Sequence, residues 1–271
     1  MVPLWKHLAK SPLGIRNLVL KEKMSLQREK NVARDREHLR KLVYESIQKY
    51  GPNCDLNFID VSGVEDMDGI FAGVNRVFNG DVSQWDVSNV ESMRDMFHGS
   101  QFNGDISDWD VSRVCYMDGM FQNSVFNGDI SNWNVSCVES MSSMFEDSQF
   151  NGDIGRWNVS SVVSMWGMFA YSQFNGDVSR WNVSDVWQMP ELFAYSQFTG
   201  DVSGWNVADD VICVGMFTGS LLEMNGQIPE WYRAIEEKQR LERESLDIEE
   251  NSVKEEEFNR SDDGELENLS F

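Results

Sequence analysis

With 45 acidic against 23 basic side chains in 271 residues, the chain has a net charge of −22. Residues 1–50 hold 12 Lys/Arg against 5 Asp/Glu, residues 51–231 hold 5 against 26, and residues 232–271 hold 6 against 14. A body this acidic repels nucleic acid and anionic lipid, which are held by cations on phosphate, and no run reaches the roughly 18 apolar residues of a membrane span.

The first 52 residues read as a basic lead-in and a capping helix. MVPLWKHLAKSPLGIRNLVLKEK lacks the apolar core of a secretory signal, so the residues favour the cytoplasm. Over 31–50, Leu39, Leu42, Val43, Ile47 and Tyr50 recur at helical spacing. Asp35 is placed to cap the helix, and Gly51-Pro52 to stop it.

From 53 to 231 the chain repeats. Six copies of a 24-residue unit begin at Phe78, Phe102, Phe126, Phe150, Phe174 and Phe198. Residues 59–71 supply half a unit before them, and Leu222–Trp231 a degenerate half-coil after them. A period of this length marks a solenoid, whose coils bury their apolar faces only against neighbours. Counting columns from each Phe, apolar residues fill columns 1, 5, 8, 10, 16, 19 and 20 and usually 13, with Trp at 8 and Met at 16 except where Cys213 replaces it. Columns 13 to 17 are the best strand candidate. Stacked, they predict one short β-strand per coil in a parallel sheet with strands about 4.8 Å apart, and a body of about 34 Å over seven coils. Asn-Gly at columns 2 and 3 predicts a tight turn with positive φ. Residues 232–271 read as helical, then as an acidic tail without enough apolar residues to order it.

FNGDISDWDVSRV, FNGDISNWNVSCV and the recurring M-x-x-MF resemble the BspA-like leucine-rich repeat family, in its Mycoplasma-type lipoprotein-associated branch. The likeness covers about residues 55–231. It implies a leucine-rich-repeat-like solenoid without catalytic residues, used as a binding scaffold, and many members are surface proteins implicated in adhesion. The cell surface therefore stands beside the cytoplasm as a candidate compartment.

The polar columns have structural explanations. Asp81, Asp105, Asp129, Asp153, Asp177 and Asp201 are placed to cap turns. One such carboxylate per coil falls short of the 6 to 8 oxygens calcium takes. Asn134, Asn158 and Asn182 each begin N-V-S, a formal glycosylation acceptor that here recurs with the period and reads as a turn. Cys54, Cys115, Cys137 and Cys213 share no column, which suggests neither a metal site nor a disulfide framework. His7, His38 and His98 are the only histidines, and no nucleophile has a partner column that would make a base. The expectation is a non-enzyme without cofactor or metal.

Function is sought where copies differ. Columns 15 and 17 flank the inward Met and are expected to face outward, and columns 14 and 22 add aromatics. Tyr116, Trp166, Tyr171, Trp187 and Tyr195 are the candidate binding residues, because aromatics dominate binding hot spots. The competing reading has them fold back onto the coils, with Tyr171 and Tyr195 stacking together. The expected function is non-catalytic binding of a protein by a monomeric solenoid. A surface-displayed adhesin or a structural spacer is the alternative, and the same aromatics are suited to sugar rings.

Overall fold

The computed structural model describes residues 31–71, 73–74, 76–241 and 244–245. The basic lead-in before residue 31 and the acidic tail expected from 248 lie outside them. The chain divides into two units, Met1–Asn225 and Gly226–Phe271. Among the described residues no helix is long and apolar enough to cross a membrane.

In the first unit, helix α1 spans Arg36–Tyr50. The Asp35 carboxylate accepts the His38 N–H at 2.8 Å, and Gly51 ends the helix at φ 92° with its N–H on the Ile47 carbonyl. Leu39, Val43 and Ile47 are buried, as the spacing predicts, whereas Leu42 is half-buried and Tyr50 exposed. Tyr50 instead meets Phe58 edge-on.

The repeat is a stack of coils whose core is largely aromatic. Phe121 lies against Phe126 at 4.2 Å between centroids and against Phe145 of the next coil at 5.8 Å. The same relation recurs from Phe97 to Phe217. Each column-8 Trp is buried and donates its indole N–H to the column-5 carbonyl one coil back, as Trp109 does to Val82 at 3.1 Å and Trp133 to Ile106 at 3.0 Å. A buried N–H would otherwise cost about 1–3 kcal/mol. This bond therefore keys each coil to its neighbour.

The expected parallel sheet is reduced to single-residue parallel bridges at column 15, running from Asp66 through Ser92, Tyr116, Ser140, Ser164 and Gln188 to Ile212. The backbone of columns 16 to 23 explains why. In the third coil the N–H groups of Met141, Ser143, Phe145 and Asp147 donate to the next coil, on Ser164, Trp166, Met168 and Ala170. Those of Met144, Glu146 and Ser148 turn back to Met141, Ser143 and Phe145. Consecutive tight turns thus replace a strand. Column 18 (Asp95, Gly119, Ser143, Gly167, Glu191, Gly215) and column 22 (Gly99, Asn123, Asp147, Tyr171, Tyr195, Gly219) are left-handed in every coil, with φ between 50° and 68°. The inward residues at 16, 19 and 20 follow a turn spacing, not the alternation of a strand.

The Asn-Gly turn is also corrected. Neither residue has positive φ. A Cβ on Gly128 would stand 2.9 Å from the Phe126 ring, and the other column-3 glycines meet their own Phe likewise. Glycine is required there by close approach. The asparagines form a ladder: the Asn127 N–H donates to the Asn103 Oδ1 at 2.8 Å, and Asn151 and Asn175 continue it.

At the end of this unit Leu222 is buried and its N–H reaches the Phe198 carbonyl, continuing the Phe column. The rest of the expected half-coil is interrupted by a short helix, α2 (Leu221–Met224). In the second unit, helix α3 occupies 230–241, with Arg240 paired to Glu237 and Glu244.

Candidate interaction face

Because every coil uses the same core columns, the side chains free to differ project from columns 14, 15, 17 and 22. Backbone rungs set their order along the stack. In column 17 the Ser143 N–H bonds to the Trp166 carbonyl, Gly167 to Pro190, and Glu191 to Val214. This aligns Ser142, Trp166, Pro190 and Val214 in consecutive coils. In column 14 the Trp187 N–H bonds to the Val163 carbonyl, and the Trp187 carbonyl accepts the Ile212 N–H.

Trp166 is 55% exposed, Trp187 51%, and Tyr171 and Tyr195 52% each. Tyr171 and Tyr195 also stack, with centroids 4.9 Å apart and planes 11° from parallel. The pair therefore stacks face to face while the outer edges of both rings stay exposed. Both tyrosines hold left-handed φ, 58° and 54°, an outlier for a bulky residue. Sequence reasoning left Val163, Ile212 and Val214 out of the candidate set, although all three are exposed and share these columns. Their signal was aliphatic residues at outward columns that hold Glu, Ser or Arg in earlier copies.

Tyr116 stands apart. It lies half-buried in the second coil, with the Arg94 guanidinium 3.9 Å over its ring and its hydroxyl donating to Glu139 at 3.3 Å. The Glu139 charge, and then that hydrogen bond, push its pKa up. Arg94 bridges Asp68 and Asp118, and the hydroxyls of Ser92 and Ser140 donate to the same two carboxylates. This end of the face is a salt-linked polar network.

The Asp column is engaged by local backbone. Asp105 Oδ1 accepts the Ser107 N–H at 3.0 Å, and Asp81, Asp129, Asp153, Asp177 and Asp201 accept from the residue two on. Backbone and serine hydroxyl bonds hold Asp105, Asp129 and Asp177 below the usual carboxylate range, the Ser83 backbone, then the Asn57 side chain and the Ser83 hydroxyl do so for Asp81, and Asp201 is lowered by its serine hydroxyl and then the backbone. Asn134, Asn158 and Asn182 make the same turn toward Ser136, Ser160 and Ser184. All four cysteines are free. Among the described residues no group of three or more His, Cys, Asp or Glu is arranged to hold a metal.

Concave features also occur on the described residues, one of about 610 Å³ lined by Arg34, Arg36, Glu65 and Asp66 among others. A second, about 580 Å³, is lined by Asn31, Tyr50, Cys54, Asp55 and Phe58. Another, about 490 Å³, runs along the Asn-Gly-Asp corner of the fourth and fifth coils between Arg156 and Arg180.

A family model described as "Mycoplasma protein of unknown function, DUF285" matches residues 41–149 and again 123–231. No curated protein and no solved structure matches the chain.

Proposed function

We propose that this chain, which belongs to the family described as Mycoplasma protein of unknown function, DUF285, is a non-catalytic scaffold that binds a protein partner through the outward face of its fourth to sixth coils. One observation carries the reading. Val163, Trp166, Tyr171, Trp187, Tyr195, Ile212 and Val214, all large and apolar, are each more than a third exposed in consecutive coils and aligned columns. Large apolar side chains left exposed coil after coil on an otherwise acidic body mark an interaction surface, and exposed Trp and Tyr are the side chains that dominate binding energy. The likeness to BspA-like leucine-rich repeats supports the same reading.

A protein partner fits better than a sugar. Three of the seven side chains are aliphatic, and the polar side chains among them are few, Ser164 and Gln188 in column 15. A sugar site needs converging hydrogen-bond partners around its aromatics.

The test is selection of peptides from a random displayed library against the full chain, followed by rebinding to a Trp166→Ala/Trp187→Ala variant whose circular dichroism is unchanged. Selected peptides are expected to lose binding to the variant by tenfold or more. Equal binding to both proteins, or no selectable peptide, would favour the spacer. Glycan-array binding lost in the variant would favour adhesion to carbohydrate.

A further inference from the structure

The exposed columns change character along the stack. Column 14 holds Glu65, Glu91 and Glu139 in its early half, and columns 15 and 17 hold Asp66, Asp68 and Asp118. Among the described residues the guanidinium groups paired with these six carboxylates are three, Arg36 with Asp66, Arg94 with Asp68 and Asp118, and Arg113 with Glu91. From Val163 onward, columns 14, 15 and 17 hold no charged side chain: Trp166, Trp187, Pro190, Ile212 and Val214 stand there with Ser164 and Gln188. One continuous face is thus acidic at its early end and apolar at its late end.

Resting on the binding role proposed above, we infer that the partner is an extended peptide segment of another protein, with basic residues clustered at one end and large apolar residues at the other. It lies along the stack with its cations over Glu65, Glu91 and Glu139 and its apolar side chains over Trp166 and Trp187. Charge selects this occupant. The early end has more carboxylates than guanidinium groups and sits on a body with 26 acidic against 5 basic residues. A field of that sign steers cations to the surface. A second copy of the chain would bring another net −22 toward the same face. Size follows from the stack: seven coils at about 4.8 Å match about ten extended residues at about 3.3 Å each.

The probes are fluorescent peptides of about ten residues and identical composition, two with Lys and Leu/Trp in separate blocks of opposite order and one with them interspersed. An uncharged apolar peptide of equal length is the fourth. In fluorescence anisotropy with the full chain, the better block order is expected to bind at least about tenfold tighter than the interspersed peptide. Raising salt from about 50 to 500 mM should weaken it by about tenfold, since exposed charges are screened. A Glu91→Gln/Glu139→Gln variant should weaken it at low salt and lose much of the salt dependence, while Trp166→Ala/Trp187→Ala should lose binding at all salt concentrations.

Equal binding of blocked and interspersed peptides overturns the inference. So does equal, salt-insensitive binding of the uncharged peptide, which would leave the apolar face as a binding site provided that binding needs Trp166 and Trp187. Concentration-dependent dimerisation lost in the Trp variant would make a second copy the occupant and also overturn it. A tenfold gain in peptide affinity on changing Lys6, Lys10 and Arg16 to Gln in the full chain would make the chain's own basic segment the occupant, with the same result.

Discussion

The ring of Tyr195 lies over Gly219, so that a Cβ on that glycine would overlap the ring. Both residues occupy column 22 and both are left-handed. Tyr171 stacks on the outer face of Tyr195, and the three make a short ladder in which glycine leaves room for the first ring. A left-handed non-glycine residue costs roughly 1–2 kcal/mol, while an aromatic pair returns about 0.5–1.5 kcal/mol. Two such residues thus cost more than their one stacked pair returns, which directs attention to what their exposed edges touch.

Tyr171→Asn is expected to change stability by less than about 1 kcal/mol, because asparagine tolerates left-handed φ while the stack is lost. Chemical denaturation compares the two proteins. A loss above about 2 kcal/mol would make the stacked pair a structural clamp rather than a binding element.

Close approach at column 3 makes an asymmetric pair of glycine substitutions. Gly128→Ala puts a methyl group 2.9 Å from the Phe126 ring inside a fully buried aromatic column, and overpacking of this kind costs about 1–3 kcal/mol. Gly63→Ala, with nothing within 4 Å of its Cβ and no positive φ, is expected to be neutral or slightly stabilising. Thermal melting of the two variants side by side checks both.

The Trp latch separates packing from hydrogen bonding. Trp133→Phe keeps an aromatic ring but removes the indole donor from the Ile106 carbonyl, which retains the Trp109 N–H, for an expected loss of about 0.5–1.5 kcal/mol. Trp133→Ala removes the ring as well and should cost about 3–5 kcal/mol. Urea titration distinguishes them, and a Trp133→Phe variant as stable as the wild type would mean that the indole N–H contributes nothing.

Acid should weaken the Asp column. Asp81, Asp105, Asp129, Asp177 and Asp201 have folded pKa values below their ordinary ones. Their contribution is therefore fully present above about pH 4 and is lost as pH falls through the lowered values. Protonation also relieves repulsion in a chain of net charge −22, so the measurement is the melting midpoint of the wild type against a five-fold Asp→Asn variant. The difference between them should shrink below about pH 4, since asparagine still accepts the turn N–H without titrating. Millimolar calcium should leave the wild-type midpoint unmoved, because each Oδ1 is already committed to a backbone N–H.

Much of the architecture was legible from residue spacing. The 24-residue period, the Phe, Val, Trp and Met columns, the Asp35 cap and the Gly51 stop can all be read from one chain, because each depends on local chemistry or on an apolar side chain needing the same burial in each copy. The strand expected over columns 13 to 17 was misread because tight turns follow it, with Asp95, Ser143, Glu191, Tyr171 and Tyr195 at columns 18 and 22 in a left-handed conformation that their side chains do not advertise. The buried serines at column 23, such as Ser124 accepting the Phe126 N–H, were missed because serine also belongs on surfaces. Of the candidate site, the four aromatics of the fourth and fifth coils were legible as breaks in the period. The partners of Tyr116 were not, since Arg94 and Glu139 lie one coil to either side of it.

By itself, then, the sequence determined the repeat, its register and the identity of its core, because burial selects the same residue types at the same step. Only the tertiary structure decided that the coils hold together by tight turns and directional rungs in place of strands, that column-3 glycine makes room for a ring, and that Val163, Ile212 and Val214 join the exposed tryptophans. The physical reason is that these features arise between residues about 24 positions apart, where stacking one coil on the next, and not local propensity, sets which backbone groups are satisfied and which side chains remain outside.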